Sequence, residues 1–201
     1  MTPFFSPPPL SDPAYAPPIY IAGVNKRLCR LAGEVCDGFH AYPFHSTRYL
    51  GEAVSPWIEQ GLTESGRSRS DIQVSVSVFT ILGRDVGSGE GREQARAEAR
   101  KQLAFYASTP SYATLLERHG WSDTGAELGQ LATRGKWEQM GALITDEMLG
   151  QFAVEADTLA DAATAIRQRY AGLADRVALY TPFVPDERDA EWQAAIRAFG
   201  V

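Results

Sequence analysis

Pro18-Ile19-Tyr20-Ile21-Ala22-Gly23-Val24-Asn25 reads as a buried strand that turns at once into a helix. Ile19, Tyr20, Ile21 and Val24 form a short apolar run with no polar alternation, the pattern of a strand covered on both faces. Asn25 is a good helix N-cap. Behind it Leu28, Leu31, Ala32 and Val35 recur at i, i+3, i+4 and i+7, which makes an amphipathic helix, and Gly38 is placed to end it.

Working outward, the same strand–helix unit returns. Phe39 to Phe44 is a second strand, stopped by Pro43. Ser46 can cap a helix carrying Leu50, Ala53, Val54, Trp57, Ile58 and Leu62, with Pro56 expected to kink or tighten it. Gln73 to Leu82 is the clearest strand, Val74, Val76 and Val78 alternating with Ser75 and Ser77. A helix over about 91–107 follows. Residues of roughly 111–150, with Trp121 and Trp137, break the rhythm and read as a helical insertion before the last strand. Thr158 and Asp161 resemble a capping box ahead of Leu159, Ala162, Ala163, Ile166 and Tyr170. Arg176 to Tyr180 is the fourth strand, ended by Pro182, and Trp192, Ala195, Ile196 and Phe199 mark a final helix.

Strands alternating with helices give parallel, right-handed βαβ units. The fold class is therefore α/β, with four βα units. A closed (β/α)₈ barrel takes about 250 residues. This chain has 201 and spends about forty on the insertion, so it holds half a barrel or a four-unit open sheet.

Bulk composition removes several classes of function. The net charge is −6, whereas a nucleic-acid binder usually carries a basic field. Arg92, Arg96, Arg100 and Lys101 share their segment with Glu90, Glu93 and Glu98, as on a solvated helix face. Cys29 and Cys36 lie two helical turns apart, about 10 Å, too far for a disulfide. Reduced thiols and a cytoplasmic location are expected. His40, His45 and His119 are not at metal-ligand spacings, so no metal site is expected. No apolar run reaches the roughly 18 residues of a membrane span. Prolines 3, 7, 8, 9, 13, 17 and 18 make residues 1–17 an extended connector and 18–201 the folded unit. The sequence has no GxSxG, P-loop or GxGxxG.

Pro18-Ile19-Tyr20-Ile21-Ala22-Gly23, Arg30-Leu31-Ala32-Gly33-Glu34-Val35 and Asp37-Gly38-Phe39 together resemble the luciferase-like monooxygenase superfamily. The nearest branch is that of oxidoreductases using the deazaflavin coenzyme F420. Gln102-Leu103-Ala104-Phe105-Tyr106, Ser108-Thr109-Pro110, His119-Gly120-Trp121 and Asp175-Arg176-Val177 with Tyr180 extend the likeness over roughly residues 1–185. The resemblance implies the C-terminal half of a luciferase-like TIM (β/α)₈ barrel, with the strand at 19–24 as its fifth. Met1 would then be an internal methionine or the start of a truncated copy.

The resemblance further implies hydride transfer between coenzyme F420 and a small organic substrate, with FMN and a monooxygenase reaction as the alternative. The loop Gly23, Val24, Asn25 would hold the phosphate side of the cofactor, where free N–H groups and the helix dipole favour an anion. Relatives often carry glycine where Val24 and Asn25 stand. A plain strand–helix turn is the other reading of Gly23. His40, Tyr42 and His45, at or after the next strand end, are candidates for the substrate pocket. The family's proton donor and most ring-facing residues come from the first four strands, so no catalytic residue is named. The chain alone is expected to show little or no activity. A homo-oligomer, or pairing with another chain as a non-catalytic remnant, stays open; no nucleic-acid or membrane partner is expected.

Overall fold

A computed structural model describes residues 16–83, 89–181, 184 and 186–200. Apart from Ala16 and Pro17, the proline-rich segment 1–17 lies outside the described residues, as does Pro182. The chain runs β1 (Tyr20–Gly23), α1 (Lys26–Val35), β2 (Gly38–Ala41), α2 (Thr47–Tyr49), a π-helical turn (Leu50–Val54), α3 (Ser55–Glu64) and β3 (Gln73–Leu82). Then come α4 (Gly89–Ala107), α5 (Ala113–Arg118), α6 (Ser122–Thr133), α7 (Trp137–Met140), α8 (Asp146–Phe152), β4 (Ala153–Ala156), α9 (Leu159–Arg169), β5 (Arg176–Tyr180) and α10 (Asp189–Phe199).

All strand pairs are parallel. β1 pairs β2 and β2 pairs β3, while β4 and β5 both pair β3. Ser75 and Val76 are registered with both β2 and β5, so β5 lies on the edge opposite β2. Phe79 is registered with both Ala153 and Tyr180, so β4 continues on the β2 side, beyond the end of β2. The main sheet order is thus β1-β2-β3-β5.

The fifth strand corrects the expectation of four. Ala153-Val154-Glu155-Ala156 follows α8 with no turn residue between, and Ala and Glu are poor strand formers. It forms because the long β3 leaves Phe79 to Leu82 without a neighbour on that edge, and because Arg96 on α4 holds Glu155.

Side chains alternate across the sheet. Phe39, Ala41, Val74, Val76 and Val78 point to one face and are buried beneath the helices. Ala22, His40, Arg176, Ala178 and Tyr180 point to the other face, which is exposed. Parallel sheets are ordinarily covered on both sides.

α1 also departs from the sequence reading. Cys29, Ala32, Gly33 and Cys36 are buried, whereas Leu28, Leu31 and Val35 are 43%, 40% and 67% exposed. The buried side is set by a close crossing with α3. A Cβ on Gly33 would stand 2.2 Å from the Ile58 carbonyl oxygen, and one on Gly61 would stand 2.0 Å from that of Arg30. Two glycines therefore let the backbones touch. Gly38 does not end α1; it lies in β2, under the Tyr20 ring. Arg67 serves the helix end instead, donating to Gly33 O at 2.8 Å and Cys36 O at 2.7 Å.

Ser46 does cap its helix, its Oγ accepting from Tyr49 N at 3.0 Å. Pro56 produces no break. The π turn ends just before it, with Ser55 N donating to Leu50 O, and the widened turn accommodates the missing N–H.

Candidate functional site

β1, β2, β3 and β5 all run the same way; β1 and β2 end beside Val76 of β3, β5 ends beside Phe79, and β3 runs on to Leu82. An aromatic group gathers at these ends. Tyr42, just past β2, packs edge-on to Tyr106 of α4 with centroids 5.4 Å apart. Tyr106 lies 6.1 Å from Phe79, and its hydroxyl is 3.4 Å from that of Tyr180, the last residue of β5. Burial, with hydrogen bonds to Tyr180 and Tyr42, pushes the Tyr106 phenol well above its ordinary range. The Tyr106 hydroxyl stays protonated at neutral pH and can donate.

A cavity of about 600 Å³ opens beside this group. Phe79, Ile81, Leu82, Ala95, Ala99 and Leu179 give it apolar walls, and Gln102, Tyr180 and Thr181 give it polar edges. That is the size and composition of a small-molecule site.

The residues singled out from sequence divide between two environments. Gly23, Val24, Tyr42 and His45 line one small void of about 10 Å³, too small for a ligand. A Cβ on Gly23 would lie 2.6 Å from Leu28 Cβ, so this glycine is needed for the strand–helix turn itself. Val24 gives its carbonyl to the Tyr49 hydroxyl at 3.0 Å. His45 is buried, with Nδ1 2.6 Å from Tyr42 O and Nε2 3.1 Å from the Tyr170 hydroxyl. A neutral ring donating from Nδ1 and accepting at Nε2 satisfies both. Burial holds its pKa down at about 4. His45 is an internal strut joining the β2 end to α9.

Asn25 stands at the N-cap position of α1, but its side chain does not cap. Its Nδ2 donates to Ser111 O at 2.9 Å, tying the loop to the helical segment after α4. The first turn of α1 contains no acidic residue and has the exposed cations Lys26 and Arg27. His40 lies on the open sheet face, its ring 5.0 Å from Tyr20, and Tyr42 is 42% exposed.

His119 lies outside the aromatic cluster. Its Nε2 is 2.8 Å from Ser46 Oγ, and its ring stacks on Trp121 at 4.4 Å. Ser46 is fully buried and occupied in capping, so the pair is not an accessible nucleophile and base. Sequence reasoning missed Tyr106 and Tyr180 as site residues. A tyrosine closing a parallel strand was the available signal for Tyr180; nothing in the periodicity of α4 marked Tyr106.

A parallel sheet with a cavity and polar side chains toward its strands' carboxyl ends is the arrangement of α/β enzyme folds, the (β/α) barrel among them. The chain belongs to the luciferase-like monooxygenase family, whose model matches residues 1–199. It is 45% identical over 179 residues to an uncharacterized protein of Mycobacterium tuberculosis, a match covering 88% of this chain and 50% of the other. It is 28% identical over 177 residues to a 5,10-methylenetetrahydromethanopterin reductase of Archaeoglobus fulgidus, covering 85% and 50%. The coenzyme F420-dependent tetrahydromethanopterin reductase of Methanopyrus kandleri superposes with a TM-score of 0.66 at 21% identity, over 92% of this chain and 50% of that one. The chain thus spans about half the length of the relatives it matches. Among the described residues, no helix is long and apolar enough to cross a membrane.

Proposed function

We propose that this chain supplies half of the active site of an F420-dependent oxidoreductase that transfers a hydride between the deazaflavin and a small organic substrate. The observation that carries this is the start of α1. A helix N-terminus usually has a side-chain cap and acidic neighbours. Here the cap residue is turned away to Ser111, and Lys26 and Arg27 replace carboxylates. Leu28 N donates to Asn25 O, and among the described residues the Lys26 and Arg27 N–H groups are left for an outside acceptor, the chemistry that receives a phosphate. The Methanopyrus neighbour's description as coenzyme F420-dependent supports the choice of cofactor.

The fit is on the outer side of the turn, because the inner side at Gly23 and Val24 is filled. Bound there, the deazaflavin supplies the hydride acceptor or donor. The protein's part is to place the substrate and exclude water. The Tyr180 hydroxyl, on the cavity wall and beside that of Tyr106, orients a carbonyl or alcohol oxygen, with Tyr42 packed on Tyr106 and His40 facing the same open side. His45 reaches neither cofactor nor substrate.

Fluorescence titration of coenzyme F420 with the chain tests the reading. Lys26→Glu with Arg27→Glu should weaken binding at least about tenfold, the loss of roughly 1.4 kcal/mol. Binding that is indifferent to both changes would remove the α1 site from the proposal.

A further inference from the structure

The large cavity carries charge of one sign. Among the described residues no Lys, Arg or His lines it, and the one carboxylate on its wall is Glu98 of α4. Thr80 adds a second acceptor there, because its Oγ1 spends its proton on Val78 O at 3.0 Å. Most basic side chains of α4 are taken up by carboxylates that do not line the cavity. Arg92 pairs with Asp157, Arg96 with Asp146 and Glu155, and Arg100 with Asp146 and Glu93. Lys101 does reach Glu98, at 3.3 Å, but the two side chains are 50% and 61% exposed. A surface pair of that kind holds little energy, so a ligand's cation can compete for the carboxylate.

This carboxylate lies far from the phenol that orients a substrate oxygen. Glu98, Gln102 and Tyr106 follow one another at i, i+4 and i+8 on α4, so Glu98 stands about 12 Å along the helix from Tyr106. The Tyr106 hydroxyl is 3.4 Å from that of Tyr180. Ile81, Ala95, Ala99 and Leu179 supply apolar wall. An anion entering here would give up hydration to apolar surface and a like charge, with no cation in return. An ammonium meets the opposite surroundings: acceptor oxygens on Glu98 and Thr80, and apolar wall for its carbon frame.

We propose that the cavity takes an elongated, largely apolar carbonyl compound, or the corresponding alcohol, whose far end is an amine held as its ammonium by Glu98. Anionic substrates are excluded. This rests on the reading of the cavity as the substrate site of a hydride-transferring enzyme, and it adds what the substrate carries at the end remote from the reacting carbon.

Three acetophenones that differ only at the para position test it. At pH 7, 4-(aminomethyl)acetophenone is a cation, 4-(hydroxymethyl)acetophenone is neutral and 4-acetylbenzoate is an anion. Each is titrated into the isotope-labelled 201-residue chain, and the amide NMR shifts of Ala95, Ala99, Leu179 and Thr181 report occupancy of the cavity. The ammonium should bind about fivefold tighter than the alcohol, the roughly 1 kcal/mol of a half-exposed ion pair, and the carboxylate at least about fivefold weaker. Glu98→Gln, at an exposed position, should leave the rest of the spectrum in place and bring the three affinities within about twofold of one another. Lys101→Gln frees Glu98 from its surface partner and should raise the ammonium affinity. Tyr180→Phe should weaken all three probes alike, through the acetyl oxygen they share. Equal affinities in the parent chain overturn the proposal, as does an order that Glu98→Gln leaves standing or an ammonium affinity that Lys101→Gln fails to raise. In those cases binding of the neutral probe still keeps the cavity as the substrate site. No shift at these amides with any of the three would remove the cavity as a site, and both readings of it together. None of these readouts needs the deazaflavin.

Discussion

Replacing Gly33 with alanine should destabilise the chain although alanine is the better helix former. The new methyl would lie 2.2 Å from Ile58 O and 2.9 Å from Leu62 N, where ordinary contact begins at 3.4 Å. Both are backbone atoms of α3, so no side chain can swing aside. The helices must part by about 1 Å, and a gap of that size forfeits a quarter to a half of the dispersion energy of each contact it opens. Cys29, Ala32, Ile58 and Leu62 are buried at or beside this crossing. Overpacking against rigid neighbours costs about 3 kcal/mol, and the helix preference of alanine returns about 1. The net loss is about 2 kcal/mol, or about 4–8 °C in melting temperature for a domain of this size. Gly150→Ala in α8 is the control: nothing lies within 4 Å of its Cβ position, so it should gain about 0.5–1 kcal/mol. Urea unfolding of both variants measures the difference. A Gly33→Ala protein as stable as the parent would refute the close-crossing argument.

Burial keeps His45 neutral down to about pH 4, whereas the unfolded ring takes up a proton near pH 6.5. Its contribution is thus complete above pH 6.5 and is lost as pH falls toward 4, by about 3 kcal/mol in total. His45→Gln should flatten the decline in urea midpoint between pH 7 and 4.5, and an unchanged decline would rule the ring out as its source. Thr158 Oγ1 accepts from Asp161 N at 3.1 Å, so Thr158→Ala should cost about 1 kcal/mol by thermal unfolding, with Thr158→Ser recovering most of it. Asn25→Ala removes the tie to Ser111 O and should speed amide exchange around residues 109–112 without unfolding β1. Uniform exchange in both proteins would show that the tie does not matter.

Period and punctuation made most of the sheet legible. Val74 to Val78 alternate and became β3, and the run from Ile19 became β1. What failed in the reading failed for identifiable reasons. Ala153 to Ala156 has no strand signature of its own; it is a strand because β3 is long and Arg96 holds Glu155. Leu28, Leu31 and Val35 have the spacing of a core face, yet they are exposed, since spacing reports that a stripe is apolar and not which neighbour covers it. The same limit applies at the candidate site. Asn25 has the right type and place for a cap, and only the tertiary contact with Ser111 shows that its side chain is used elsewhere. Tyr42 and His45 are three residues apart, but one meets the cavity aromatics and the other is locked between Tyr42 O and Tyr170.

The central claim is that the start of α1 receives the phosphate end of coenzyme F420. The most direct measurement is a titration of coenzyme F420 into the chain, following deazaflavin fluorescence, with FMN and inorganic phosphate as competitors. The account predicts saturable F420 binding that phosphate displaces and that Lys26→Glu with Arg27→Glu weakens at least about tenfold. Binding that neither phosphate nor the charge reversals disturb would contradict it, as would a preference for FMN over the deazaflavin.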